Sequence, residues 1–356
     1  LIETAKSSDT KVLCIDWKFL DGIKKKEFIL TGNSDKSIFF RNEIKDMFLN
    51  INSQKSIYAI DLNHNMTDLA VGAQLFQNET IEDEGRYAIK IYNFSLLERD
   101  FVSEKNLFGH DDLITTLHWP KKSFYVLASG SLDGNVKIWD TVSSKCISTL
   151  NFDKGLSKSA VWCVQFANHL LSDIENSEEV YLAAGFVNGY INIWKLFIQY
   201  DSLTRIKVLN KITLKANNGY VKSIDWSKDD KYIVAGYYNG DIRIWEPQKK
   251  NRKCIFHVKG HSGAVSSVKF FCDNEHLISS GIDGKIKVWY LKKGESEIIE
   301  ALVYKDTEVP IQIYCLELSP KDFIVLAGIN GGVVSIDLKD IVVKDLISEN
   351  KKNLLK

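Results

Sequence analysis

Residues 126–140 read VLASGSLDGNVKIWD, and residues 277–290 read LISSGIDGKIKVWY. Each is a pair of short β-branched and aromatic runs around a D-G step, the strongest short-range signal for a tight β-hairpin. Outward from these, LAAGFVNGYINIWK at 182–195 and IVAGYYNGDIRIWE at 233–246 repeat the pattern with N-G. Weaker copies stand at 29–41 (ILTGNSDKSIFFR) and 325–337 (VLAGINGGVVSID), and an interrupted one spans 69–93. The seven units end at Arg41, Tyr92, Trp139, Trp194, Trp245, Trp289 and Ile336, 44 to 55 residues apart. A third run precedes each hairpin, at 12–17, 57–62, 114–119, 161–166, 221–226, 265–270 and 313–318. A fourth follows several of them, as at 146–150, 254–258 and 297–303.

Four strands per unit with almost no helical periodicity define an antiparallel all-β repeat. A four-stranded sheet cannot bury both faces alone; radial packing of successive sheets does so and leaves only short edges. The expected fold is an all-β, seven-bladed β-propeller of four-stranded antiparallel blades, one domain over 1–340. Residues 341–356 are expected to form a C-terminal extension, basic at its end. The last unit supplies three clear strands, so an N-terminal strand at 2–5 is expected to close the last blade, with 341–346 as the competing candidate. Closure of this kind leaves no open edge.

These residues, above all Gly109-His110 with Trp139-Asp140 and Gly260-His261 with Trp289, resemble the WD-repeat β-propeller family over nearly the whole chain. The resemblance implies that His, a hydroxyl, Asp and the Trp indole are tied together in each full repeat. In the third blade these are His110, Ser129, Asp133 and Trp139; in the sixth, His261, Ser279, Asp283 and Trp289. The chemistry agrees, because a buried carboxylate and imidazole need partners and each of these groups supplies one. Ser, His and Asp together are also the parts of a hydrolytic triad. A hydroxyl facing the core has no route to a substrate, so the reading is structural. Other repeats depart from the pattern: Ala184 and Ala235 stand at the hydroxyl position, Asn188, Asn239 and Asn330 at the Asp position, Arg41 and Ile336 at the Trp position.

With 46 basic and 46 acidic side chains the net charge is zero, which removes any whole-surface attraction to nucleic acid or an anionic membrane. Lys24, Lys25 and Lys26 form a basic cluster without arginine–aromatic interleaving. No apolar run approaches the ~20 residues of a membrane span, and residues 1–10 carry no pattern expected of a secretory signal. Six cysteines without a C-x-x-C pair are expected to be reduced thiols of a cytoplasmic or nuclear protein. Three of them, Cys14, Cys163 and Cys315, share a register with Ala59, Thr116, Ser223 and Ser267 in the first strands. First strands are innermost in a propeller, and crowding there selects small residues. No His joins the register, so no metal site is assigned and no cofactor is implied. P-loop, G-x-S-x-G and H-E-x-x-H motifs are absent, and no enzymatic activity is expected.

Insertions at 74–86, 168–179 and 197–205 break the period, the first two acidic and read as solvated loops. The residues just before the turn Asp or Asn are Ser34, Leu132, Val187, Tyr238, Ile282 and Ile329, apolar in five of six cases. Starts of inner strands on the same rim add Leu113, Trp162 and Tyr220. Apolar groups gathered around a channel mouth are hot-spot material. The expected function is a non-catalytic scaffold or adaptor that docks a protein or peptide on the D-G-turn face within a multi-subunit complex. Two alternatives are an RNA-associated propeller of a ribonucleoprotein complex and a ubiquitin-ligase substrate receptor. The resemblance implies a basic residue two places after Trp-Asp for such receptors, and Val142 stands there instead.

Overall fold

The computed structural model describes residues 9–20, 26–42, 46–50, 53–75, 86–95, 100–121, 125–152, 159–169, 172–174, 177–200, 204–215, 219–271, 274, 276–291, 298–305, 312–319 and 324–338. Their strands group into seven antiparallel sheets, and none of the described residues is helical. Innermost strands, one per blade, are Val12–Leu20, Ile60–Leu62, Ile114–His118, Val161–Phe166, Val221–Trp226, Val265–Phe271 and Cys315–Leu318. Each blade then runs outward in chain order. The inner strand of blade one packs against those of blades two and seven, so the ring closes. Blade seven has three described strands, Cys315–Leu318, Ile324–Ile329 and Gly332–Asp337. Both candidates for its fourth strand, 2–5 and 341–346, lie outside the described residues, as does the extension 341–356.

One insertion is more ordered than a solvated loop. Ser172–Ile174 pairs with the start of Ser177–Phe186, and Tyr190–Tyr200 with Thr204–Lys215 carries blade four beyond its neighbours. Val180, Leu196 and Ile198 are buried there, and the Tyr200 hydroxyl donates to Glu178 Oε1. In the sequence the acidic residues at 173–179 mask this alternation, because their charge stands out more than the apolar spacing that follows them.

Blade-to-blade contact follows from the small residues of the first strands. Cys14 pairs with Gly32, Thr116 with Gly130, Cys163 with Gly185, Ser223 with Gly236 and Cys315 with Gly328. A Cβ on Gly185 would stand 2.4 Å from Val221 of the next blade and 2.6 Å from Cys163 Sγ. One on Gly328 would stand 2.4 Å from Cys315 Sγ. The small residues also bond across the gap. Cys315 Sγ donates to Val12 O at 3.4 Å, Ser267 Oγ to Leu316 O at 3.3 Å and Ser223 Oγ to Val268 O at 3.5 Å. Burial pushes the Cys14 and Cys163 thiols up to about 12, which keeps them as neutral donors.

In blade three the Trp139 indole donates to Ser129 Oγ at 2.8 Å; Ser129 Oγ lies 2.7 Å from His110 Nε2, and His110 Nδ1 lies 2.7 Å from Asp133. Blade six repeats this with Trp289, Ser279, His261 and Asp283 at 2.8, 2.8 and 2.9 Å. The serine oxygen already accepts from the indole, so its proton goes to Nε2, and the network assigns the His proton to Nδ1. Burial alone would raise the Asp133 carboxyl. The His110 imidazole and the amides of Asp111 and Asn135 instead hold it at about 2. Ser129 and His110 are 0% and 1% exposed, out of reach of any substrate.

Two kinds of substitution probe these contacts. Asp133→Ala and Asp283→Ala should each cost roughly 1–3 kcal/mol in chemical denaturation by stranding buried partners. Asn239→Ala, at an exposed turn without His or hydroxyl, should cost less; equal losses at all three would mean the clusters do not hold together. Gly185→Ala should cost roughly 1–3 kcal/mol by overpacking the blade four–blade five seam, and an unchanged melting temperature would show that the seam has slack.

Candidate functional site

Where the inner strands begin, five of the seven carry a β-bulge at the same place. Pairing jumps from Val12 to Cys14, Ile114 to Thr116, Val161 to Cys163, Val221 to Ser223 and Val265 to Ser267. The residues skipped are Leu13, Thr115, Trp162, Lys222 and Ser266. A bulge leaves one residue unpaired and re-aims its side chain. At the equivalent place in blades two and seven stand Tyr58 and Tyr314. All seven line the mouth of a central channel of about 1020 Å³ built by every inner strand.

Outside this ring sit the turn residues singled out from sequence. Tyr220 and Tyr238 are 46% and 56% exposed, with ring centroids 5.3 Å apart, and the Tyr238 amide donates to Tyr220 O. Leu113 and Leu132 are half-buried and joined likewise, Leu132 N to Leu113 O at 3.0 Å. Val187 and Ile282 are half-buried, their amides held by Ala160 O and Ala264 O. Ile329 is a correction. It is 8% exposed and packs with Ile278, Ile286 and Val288 of blade six. The cause is the chain before blade one: Gly331 N donates to Thr10 O at 2.8 Å, and Lys11 bridges to Asn330, which covers that turn. Six of the seven mouth residues, Leu13, Tyr58 (39% exposed), Thr115, Lys222, Ser266 and Tyr314, escape the turn-based sequence reading. A signal for them does exist, since each immediately precedes the small residue of the inner-strand register.

Lys222 is the one charged member of the mouth ring. Its amine sits 4.0 Å from the centre of the Trp162 ring, a cation–π contact. Burial lowers its pKa to about 8, and no ion pair holds it among the described residues.

Deeper in the channel, a belt of polar residues follows the register one place after Ile15: Asp16, Asp61, His118, Gln165, Asp225, Lys269 and Glu317. Its carboxylates fasten neighbouring blades. Asp16 accepts the Leu62 amide at 2.6 Å and Asp61 the Trp119 amide at 2.5 Å. Asp225 accepts Phe270 N at 2.7 Å and Gln165 Nε2 at 2.6 Å, spanning three blades. Lys18 lies 3.2 Å from Asp16 and 3.0 Å from Asp61. Burial would lower its amine, but the two carboxylates hold it charged. Glu317 pairs with Lys269. Among the described residues no cluster of His, Cys, Asp or Glu is arranged to hold a metal ion.

Seven antiparallel blades around an open channel, with two full His–Ser–Asp–Trp clusters, define a WD-repeat β-propeller. The WD40 family model, "WD domain, G-beta repeat", matches residues 101–140, 210–246 and 252–290, and the chain belongs to this family. COMPASS component SWD3 of Saccharomyces cerevisiae is 26% identical over 151 residues, 41% of this chain and 45% of that protein. The ribosome biogenesis protein WDR12 homolog of Trichoplax adhaerens is 26% identical over 148 residues, 41% of this chain and 30% of that protein. DDB1- and CUL4-associated factor 13 of Mus musculus is 34% identical over 83 residues, 23% of this chain and 18% of that protein. The alignments thus span less than half the length of these relatives. No helix among the described residues is long and apolar enough to cross a membrane.

The belt makes stability depend on pH. Burial raises Asp225 from the usual carboxyl value to about 6, outweighing Lys269 and its hydrogen bonds. A raised carboxyl stabilises the fold below the unfolded value near 4 and loses that contribution as pH rises through 6. Asp225→Asn should therefore gain on the wild type by roughly 1–3 kcal/mol between pH 4.5 and 7.5, read by denaturant titration at both. A constant difference would mean that Asp225 titrates as a solvated carboxyl.

Proposed function

We propose that this chain is a non-catalytic scaffold that docks a protein or peptide segment on the D-G-turn face within a larger complex. The carrying observation is the ring of bulges, which turns Trp162, with Tyr58 and Tyr314 at equivalent positions, toward one channel mouth beside the exposed Tyr220–Tyr238 pair. Aromatic groups held by a rigid scaffold around a concave mouth are the composition of a binding hot spot. Relatives named as a component of COMPASS and as a ribosome biogenesis protein support the assembly role. An intracellular setting, cytoplasmic or nuclear, fits thiols that serve as hydrogen-bond donors at the blade seams. The basic cluster that an RNA-associated reading would use, Lys24 to Lys26, lies outside the described residues except for Lys26. Lys26 opens the strand that ends at the Ser34–Lys36 turn, and so stands on the opposite face.

Trp162→Ala and Tyr238→Ala should each weaken partner binding about tenfold or more, the usual loss when a central aromatic anchor is removed. Melting temperature should stay nearly unchanged. Tyr125→Ala, at the opposite end of the blade three hairpin and 55% exposed, should leave the partner bound. Quantitative affinity purification of the tagged variants checks this. Partners lost only with Tyr125→Ala, or rim variants that unfold, would overturn the reading.

A further inference from the structure

Resting on that docking surface, the charge pattern of the mouth points to the chemistry of the guest. The mouth ring holds a single charge, Lys222, sunk between blades four and five with its amine on the Trp162 face. Carboxylates further down the channel are committed elsewhere: Asp16 and Asp61 to Lys18, Glu317 to Lys269, Asp225 to Gln165 and the Phe270 amide. Lys222 has no carboxylate partner among the described residues, and its depressed amine, lowered by burial, reflects that lack. A buried cation is stabilised most by a paired anion. A cationic guest is disfavoured twice, by repulsion from Lys222 and because the Trp162 face is already taken. Among the described residues no arginine lines the channel, so they offer no fork of the kind that suits a dianionic phosphate. A compact ammonium suits one carboxylate.

We propose that the mouth binds an extended partner segment that seats a single Asp or Glu side chain against Lys222, with apolar neighbours on Trp162 and the Tyr220–Tyr238 pair. The carboxylate supplies the missing counter-ion, and the flanking residues cover the exposed rings. Lys222 then acts as a specificity residue, choosing among segments that the aromatic rim would otherwise accept alike.

The test is selection of a displayed random twelve-residue peptide library on the full chain, followed by titration of the selected synthetic peptides by fluorescence anisotropy. Enriched sequences should share one Asp or Glu beside an apolar residue. Changing it to Asn or Gln should weaken binding at least tenfold to the wild type and less than threefold to Lys222→Met. Lys222→Gln serves as a second variant should the methionine lower the melting temperature, and Lys222→Arg should retain the acid preference. Acid-indifferent peptides that still require Trp162 would overturn this proposal and leave the docking surface standing. Peptides insensitive to Trp162→Ala, or a library without binders, would overturn both. Enrichment of Lys or Arg, or of phosphorylated over plain acidic peptides by more than tenfold in direct titration, would overturn the carboxylate assignment.

Discussion

The tight convergence of seven inner strands is the constraint on which everything else rests. Where the strands of neighbouring blades meet, there is no room for a Cβ on Gly185 or Gly328, and the facing residue must be Cys, Ser, Thr or Ala. Such small side chains leave backbone carbonyls of the next blade within reach of a hydroxyl or thiol, so the crowding that restricts composition also supplies the seam's hydrogen bonds. Large apolar groups are displaced outward into the space between sheets. There Val126, Ile138, Val164 and Phe186 build one core across blades three and four, and Ile278, Ile286, Leu316 and Val325 build another across blades six and seven.

Three layers along each inner strand divide the work. The bulged residue at the start faces the channel mouth, and of these Thr115 also donates across a seam, to Val161 O at 2.7 Å. The next residue bolts one blade to its neighbour. The belt residue lower down accepts or donates across the same seam at the other end of the strand, as Asp16 does to Leu62 and Asp225 to Phe270. The mouth layer varies more than the two below it: Leu13, Tyr58, Thr115, Trp162, Lys222, Ser266 and Tyr314 range from apolar and aromatic to hydroxyl and charged. A rigid frame with a variable rim suits a recognition surface. The two His–Ser–Asp–Trp clusters stiffen blades three and six; blade one has a different buried polar cluster, Thr31–Asn33–Ser37, and blades four and five pack apolar groups around Ala184 and Ala235 at the hydroxyl position.

Features set by local sequence are legible in the order of the residues alone. D-G and N-G turns, strand alternation and the four-residue clusters are all fixed within one repeat, and they suffice for the fold and for the positions of His110, Ser129, Asp133 and Trp139. Features that depend on register between strands are not legible in this way. A bulge cannot be seen without its partner strand, so Tyr58, Lys222 and Tyr314 do not stand out, although they lie beside a position that aligns across the repeats. Ile329 looks like a rim residue from its neighbours in sequence, whereas a segment more than 300 residues away covers its turn. The ordered extension of blade four is obscured by its acids, which sit at the edge of a hairpin rather than in a loop.

The most direct measurement is a structure, by electron cryo-microscopy, of the complex isolated with the native chain. The docking reading predicts partner density over the D-G-turn face, in contact with Trp162 and Tyr238 and entering the channel mouth. A partner bound solely to the opposite face, near Tyr125 and Val142, with the mouth open to solvent, would contradict it.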